Sequence, residues 1–143
     1  MHIRLYTDYA LRVLIFLGAK GDELATIREI ATSYSISRHH LVKVCHDLQQ
    51  RGYIATTRGK GGGIRLARPA AQIRLGAVFR EMERDLVMAE CFGPDDRCII
   101  TRACTLKHVL DQALQGFLAV LDGYTLAEII EPKARLKQLL LPA

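Results

Sequence analysis

Cys91, Cys98 and Cys104 lie within fourteen residues of one another, in the stretch "ECFGPDDRCIITRACTLKH" over residues 90–108. Their C-x6-C-x5-C spacing narrows the chemistry. Structural zinc sites use C-x2-4-C knuckles, often in pairs, and none occurs here. A C-x-x-C redox pair is also missing, which speaks against a disulfide oxidoreductase. Wider spacing on a flexible loop suits an iron–sulfur cluster, a bulky group that thiolates wrap rather than pinch. Three thiolates leave one iron of a cubane without a protein ligand. The candidates for that place are Glu90 beside Cys91, His108 on the helix that opens near Cys104, and, remotely, Asp8. Spacing alone favours a plainer use of Asp8, an exposed i,i+4 pair with Arg12. The fourth thiol, Cys45, falls on the inner phase of a helix and reads as a core residue. No secretory leader is evident and no apolar run approaches the twenty residues of a bilayer span. The expected setting is therefore cytoplasmic, without a membrane partner, where clustered thiols bind metal or sense redox more often than they form structural bridges.

Something must carry and position that loop. At 143 residues, half of them apolar, the chain is long enough to bury a core. Its net charge of +5 conceals an asymmetry: residues 1–80 hold 13 Lys/Arg against 5 Asp/Glu, and residues 81–143 hold 7 against 10. A basic N-terminal half is the footprint of a part that approaches phosphates. Its first helix is expected to start at Thr7 as N-cap, with Asp8 in the first turn, and to stop at Gly18. A second starts at "TIREI", where Thr26 and Glu29 fit a capping box. A third occupies "SRHHLVKVCHDLQQRG" (37–52), with Leu41, Val44, Cys45 and Leu48 inward and His39, Lys43, His46 and Gln50 outward. "YIATTRGKGGGIRLA" (53–67) then alternates like two strands around a glycine-rich turn bearing Arg58, Lys60 and Arg65. Those glycines match neither GxxxxGK[ST] nor GxGxxG, so a nucleotide loop is rejected.

A helix-turn-helix followed by a basic hairpin is the order of a winged helix. The expected fold is mainly α with a small β-wing. It comprises a winged helix-turn-helix DNA-binding domain over residues 1–82, a cluster loop over 83–103, and a dimerisation helix with C-terminal tail over 104–143. Ser37, Arg38, His39, His40 and Lys43 would face double-stranded operator DNA, with Arg58 and Lys60 reaching its backbone or minor groove. Leu106, Leu110, Ala113, Phe117, Val120 and Tyr124 recur at spacings of 4, 3, 4, 3 and 4, a coiled-coil-like seam roughly 30 Å long at 1.5 Å per residue. A groove-reading protein that binds two half-sites as a two-fold dimer needs such a seam. No base–nucleophile set appears, so no enzymatic activity is expected.

Together "YTDYALRVLIFL", "SRHHLVKV", "RGKGGGIRL", the three cysteines and "LDGYTLAEI" resemble, in order and over nearly the whole chain, the winged-helix iron–sulfur regulator family. The likeness is to its nitric-oxide-sensing repressors. It implies a homodimer on a palindromic operator, with a 4Fe–4S cluster held by Cys91, Cys98, Cys104 and Asp8 of the partner subunit. The implied signal is nitric oxide, which reacts with the cluster and releases the DNA. His108 departs from the family's cluster-assembly branch, whose ligand histidine follows the last cysteine after two intervening residues. Three intervene here, which weighs against a 2Fe–2S site of that kind. His39 stands where relatives often have asparagine. The alternatives are an iron or cluster-status regulator with a 2Fe–2S site, and a cluster-free thiol-switch repressor.

Overall fold

A computed structural model describes residues 2–141. Met1, Pro142 and Ala143, the ends of the first and last expected segments, lie outside the described residues. The architecture is mainly helical with one small antiparallel hairpin, as the sequence leads one to expect. Helix α1 (Leu5–Lys20) is central, and its Ala10, Val13, Leu14, Phe16 and Leu17 are almost wholly buried. It starts one turn earlier than its apparent cap. Arg4 takes the N-cap position, and Thr7 sits inside the helix with no exposure. The Thr7 hydroxyl is spent elsewhere, donating to Glu83 at 2.8 Å. The helix also runs through Gly18, whose bare Cα admits Ile130, and ends at Gly21 in a positive-φ conformation.

Helix α2 (Ile27–Tyr34) has the expected reciprocal cap: Glu29 N–H donates to Thr26 Oγ1 at 3.1 Å, and Thr26 N–H donates to Glu29 Oε2 at 2.6 Å. That backbone bond is the main reason the Glu29 carboxyl is held below its usual range. Ser35, left-handed at φ 55°, turns the chain into α3 (Arg38–Gln50). Ser37 occupies the N-cap position of α3, but its side chain makes no capping bond. Leu41, Val44, Cys45 and Leu48 are buried as their period requires.

Strands β1 (Ile54–Thr57) and β2 (Gly63–Leu66) pair from Ile54–Leu66 to Thr57–Gly63. Ala25 makes a separate antiparallel bridge to β2 by exchanging two backbone bonds with Ile64, at 2.9 and 2.7 Å. Only glycine fits at 63, since a Cβ there would lie 2.6 Å from the Ala25 carbonyl oxygen. Helix α4 (Leu75–Met82) buries Val78, Phe79 and Met82. After an irregular segment comes α5 (Thr105–Asp122), then α6 (Leu126–Ile129) and α7 (Lys133–Leu140).

The tail does not trail away. Leu126 and Leu140 join the same core as α1, and Ser33 Oγ donates to the Leu140 carbonyl at 2.6 Å. Helix α5 docks on α4 through an edge-on Phe79–Phe117 pair, ring centroids 5.2 Å apart, and a two-bond Arg80–Asp122 ion pair. This corrects the expected seam. Leu110 and Phe117 are half-buried on the chain's own side, and Tyr124 lies beyond the helix end. The outward apolar face is Leu106, Val109, Ala113, Gly116 and Val120. The expected stripe straddles both faces, because a helix apolar over half its circumference offers several lines at nearly the same period.

Candidate nucleic-acid face and cysteine loop

With four apolar residues turned inward, α3 must present Arg38, His39, His40, Lys43 and His46 to solvent, and all are exposed. Ser37 is exposed at its start. The wing turn, residues 58–62, carries Arg58 and Lys60, and Arg65 projects from β2, all exposed. Among the described residues none of Arg38, Lys43, Arg58, Lys60 and Arg65 is in a salt bridge. Other cations of the basic half are structural. Arg51 pairs with Asp47 at 2.8 Å, while Arg68 lies 4.5 Å over the Tyr53 ring and donates to the carbonyls of Arg51 and Gly52. The charge excess thus divides into cations that hold the head together and cations with no ion-pair partner among the described residues. A bond from Thr56 Oγ1 to Gln49 Oε1, 2.9 Å, ties the wing to α3.

Helix α1 braces the start of α3. Tyr9 stacks on His40 with centroids 6.5 Å apart, and Tyr6 Oη donates to the Lys43 carbonyl and to Asp47, each at 3.2 Å. Asp8, partly exposed on the same turn, pairs with Arg12 at 2.8 Å. The Arg12 guanidinium lies between the rings of Tyr9 and Tyr34, 6.0 and 5.7 Å from their centroids. Tyr34 Oη in turn donates to the Arg12 carbonyl at 3.1 Å, and burial pushes this phenol up to about 12. In the single chain, then, Asp8 has the i,i+4 partner its spacing suggests.

The cysteine segment consists of two single 3-10 turns, Glu90–Phe92 and Thr101–Ala103, joined by turns. All four cysteines are free. Cys91 is half-buried in the first turn, Cys98 is exposed, and Cys104 is half-buried immediately before α5. Glu90 accepts from Arg97 N–H at 3.1 Å, and Asp96 Oδ1 accepts from Cys98 N–H and Thr101 Oγ1, each at 3.0 Å. His108 is exposed on α5. Among the described residues, no three His, Cys, Asp or Glu side chains converge into a metal-binding group. The chemistry of the donor set nevertheless fits an iron–sulfur group: three free cysteines, Cys98 exposed and Cys91 and Cys104 half-buried, on a loop with little regular structure. Such loops take their final geometry from the metal they wrap. Cys45 is of another kind, buried on α3 with its thiol pushed up to about 12 by desolvation.

Sequence reasoning missed Glu83. It is 5% exposed, accepting from Thr7 Oγ1 and from the Arg4 backbone N–H at 3.2 Å, and it pairs with Arg4 Nε at 3.2 Å. It fastens the start of α1 to the start of the cysteine segment. Within "REMERD" nothing marks it as buried, since its partners lie some eighty residues away in the chain.

The family described as "Iron-dependent Transcriptional regulator", Rrf2, matches residues 3–132. This chain belongs to the Rrf2 family. The Rrf2 protein is 50% identical over 142 residues to the HTH-type transcriptional regulator NsrR of Geobacillus kaustophilus, covering 98% of this chain and 97% of that one. It is 49% identical over 142 residues to NsrR of Bacillus subtilis, with the same coverage. Among solved structures it is similar to Staphylococcus aureus CymR, with a TM-score of 0.73 and 26% identity over 90% of this chain and 97% of that one. It also shares its fold with T. potens IscR, at a TM-score of 0.73 and 22% identity over 92% and 88%. The Rrf2 protein is therefore a transcriptional regulator and not an enzyme. No helix among its described residues is long and apolar enough to cross a membrane.

Proposed function

We propose that this Rrf2 protein is a cytoplasmic repressor that binds operator DNA as a homodimer and responds to nitric oxide through an iron–sulfur group. One observation carries the reading: three free thiols lie on the loop joining the head, with its unpaired cations, to a helix with an uncovered apolar face. Near-full-length identity of about half to regulators named NsrR supports it.

Ser37, Arg38, His39, His40 and Lys43 meet the major groove, and Arg58 and Lys60 reach the flanking backbone or minor groove. Two heads are joined through the outer face of α5, so the operator has two half-sites. Cys91, Cys98 and Cys104 hold the group as thiolates, with the carboxylate of Asp8 of the partner subunit as the fourth ligand in a 4Fe–4S site. When bound, the group supplies thiolate-ligated iron that reacts with nitric oxide. Asp8 engaged across the dimer ties down α1, and α1 braces α3 through Tyr6, Tyr9 and His40. The angle between the two recognition helices is thereby set. Asp8 returned to Arg12 leaves the heads untethered, and half-site spacing no longer matches the operator. A difference of a few kcal/mol suffices, since each 1.4 kcal/mol is about tenfold in affinity.

The test is anaerobic purification with iron and sulfide counts, followed by footprinting with and without nitric oxide. About four irons per chain and protection lost on exposure to the gas are expected. Two irons per chain indicate a 2Fe–2S status regulator, for which exposed His108 near Cys104 is the available ligand. A colourless, iron-free product indicates a thiol switch. Identical protection in every state overturns the proposal.

A further inference from the structure

Val42 is 46% exposed on α3, an apolar side chain set among polar ones. A helix turns about 100° per residue, so its neighbours on that face are Arg38 and His39 behind it and His46 and Gln49 ahead, all exposed. The buried Leu41, Val44, Cys45 and Leu48 take the other side of the helix. The outer face also has a direction. Gln49 is bonded to Thr56 of the wing, whereas His40, across the face, stacks on Tyr9 of α1. Val42 therefore lies on the wing side of α3, where helix and wing close on one surface. Local stability gives no reason for a valine there. A β-branched side chain loses rotamer freedom on a helix, and a position half in water recovers little of that loss by packing.

We infer that Val42 makes an apolar contact with the 5-methyl group of a thymine in the major groove of each half-site, and so determines sequence specificity. The inference rests on the proposed reading in which α3 enters the major groove, and it deepens that reading by naming a base. Charge points to the occupant. Among the described residues, Arg38 and Lys43 beside Val42 have no ion-pair partner, and a polyanion supplies one. Chemistry then selects the base. Val42 has no hydrogen-bonding group, so against an edge of donors and acceptors it would strip water without replacing the lost bonds. Thymine alone presents a methyl group in the major groove. The imidazoles of His39 and His46 and the ammonium of Lys43 serve polar edges and phosphates, and Val42 serves the methyl.

The experiment uses the full-length, anaerobically purified protein and the operator duplex that footprinting delimits. Each thymine of a half-site is replaced in turn by deoxyuridine, which removes the methyl and leaves base pairing and every polar group intact. At one thymine per half-site, wild-type affinity should fall about fourfold, the worth of one buried methyl. Val42→Ala protein should bind the unmodified operator more weakly and show no further loss at that position, with its salt slope unchanged. Alanine is the best helix former, so folding is not at risk. A purely structural role for Val42 would weaken binding to thymine and deoxyuridine duplexes alike, with the methyl effect intact in the variant. That result overturns the contact, as does a half-site in which no deoxyuridine substitution weakens wild-type binding. The salt slope of Lys43→Ala protein separates the two proposals. A slope reduced by roughly one, with no thymine linked to Val42, keeps α3 on the DNA and sinks the methyl contact. A thymine linked to Val42 with an unchanged slope keeps the methyl contact and removes Lys43 from the phosphates.

Discussion

Burial decides what Glu83 and each of the four cysteines can do. Glu83, itself nearly buried, is the acceptor for the buried Thr7 hydroxyl and for the backbone N–H of Arg4 at its exposed edge. Glu83→Ala strands the fully buried Thr7 hydroxyl, and the expected cost is about 1–3 kcal/mol, read as a lower urea midpoint. Glu83→Gln keeps an acceptor for Thr7 and should cost less. Cys45 shares its side chain with Cys91, Cys98 and Cys104 but not their chemistry, because burial disfavours its thiolate and bars access. Alkylation of iron-stripped native protein should modify three thiols and spare Cys45 until denaturant is added, with peptide mass mapping as the readout. Modification of Cys45 in the native state would show that α3 is not packed as described.

At the level of elements, α3 and the wing work as one surface because Thr56 and Gln49 join them. The wing is also anchored from behind through the Ala25–Ile64 bridge. Lys43 on the helix and Lys60 in the wing turn have no ion-pair partner among the described residues, so their charge is available to a polyanion. Lys43→Ala or Lys60→Ala should each weaken operator binding and reduce the slope of log K against log salt by roughly one. The same substitution at Arg68, which is committed to Tyr53 and two carbonyls, should act on stability instead. An unchanged salt slope for both lysine variants would remove them from the DNA face.

Across the whole molecule, α5 has one face for its own chain and one without cover. Leu114, Phe117 and Leu118 turn toward α4 and the start of the cysteine segment, whereas Leu106, Val109 and Val120 are 61, 52 and 62% exposed. Burying a branched aliphatic side chain stabilises by about 1.5–3 kcal/mol, and the proposed dimer seam is what would cover this row. Val109→Asp should place like charges across a two-fold seam and give a monomer in sedimentation, with helix content by circular dichroism unchanged. A Val109→Asp protein that stays dimeric would move the interface elsewhere.

Much of this was local and therefore legible in the residues themselves: the Thr26–Glu29 cap, the inward period of α3, the hairpin around residues 58–62, and the cysteine spacing. Each depends on side chains within one or two turns of each other. Tertiary structure decided what distant partners decide. Thr7 became a buried donor rather than a cap because Glu83 reaches it. Gly18 continued the helix because Ile130 needed the space, and the C-terminal helices returned to the head because Leu126 and Leu140 complete its core. The face of α5 left open was settled by Phe79 taking Phe117. Periodicity reports that a helix has an apolar side, but only the packing of its neighbours determines which part of that side stays in water.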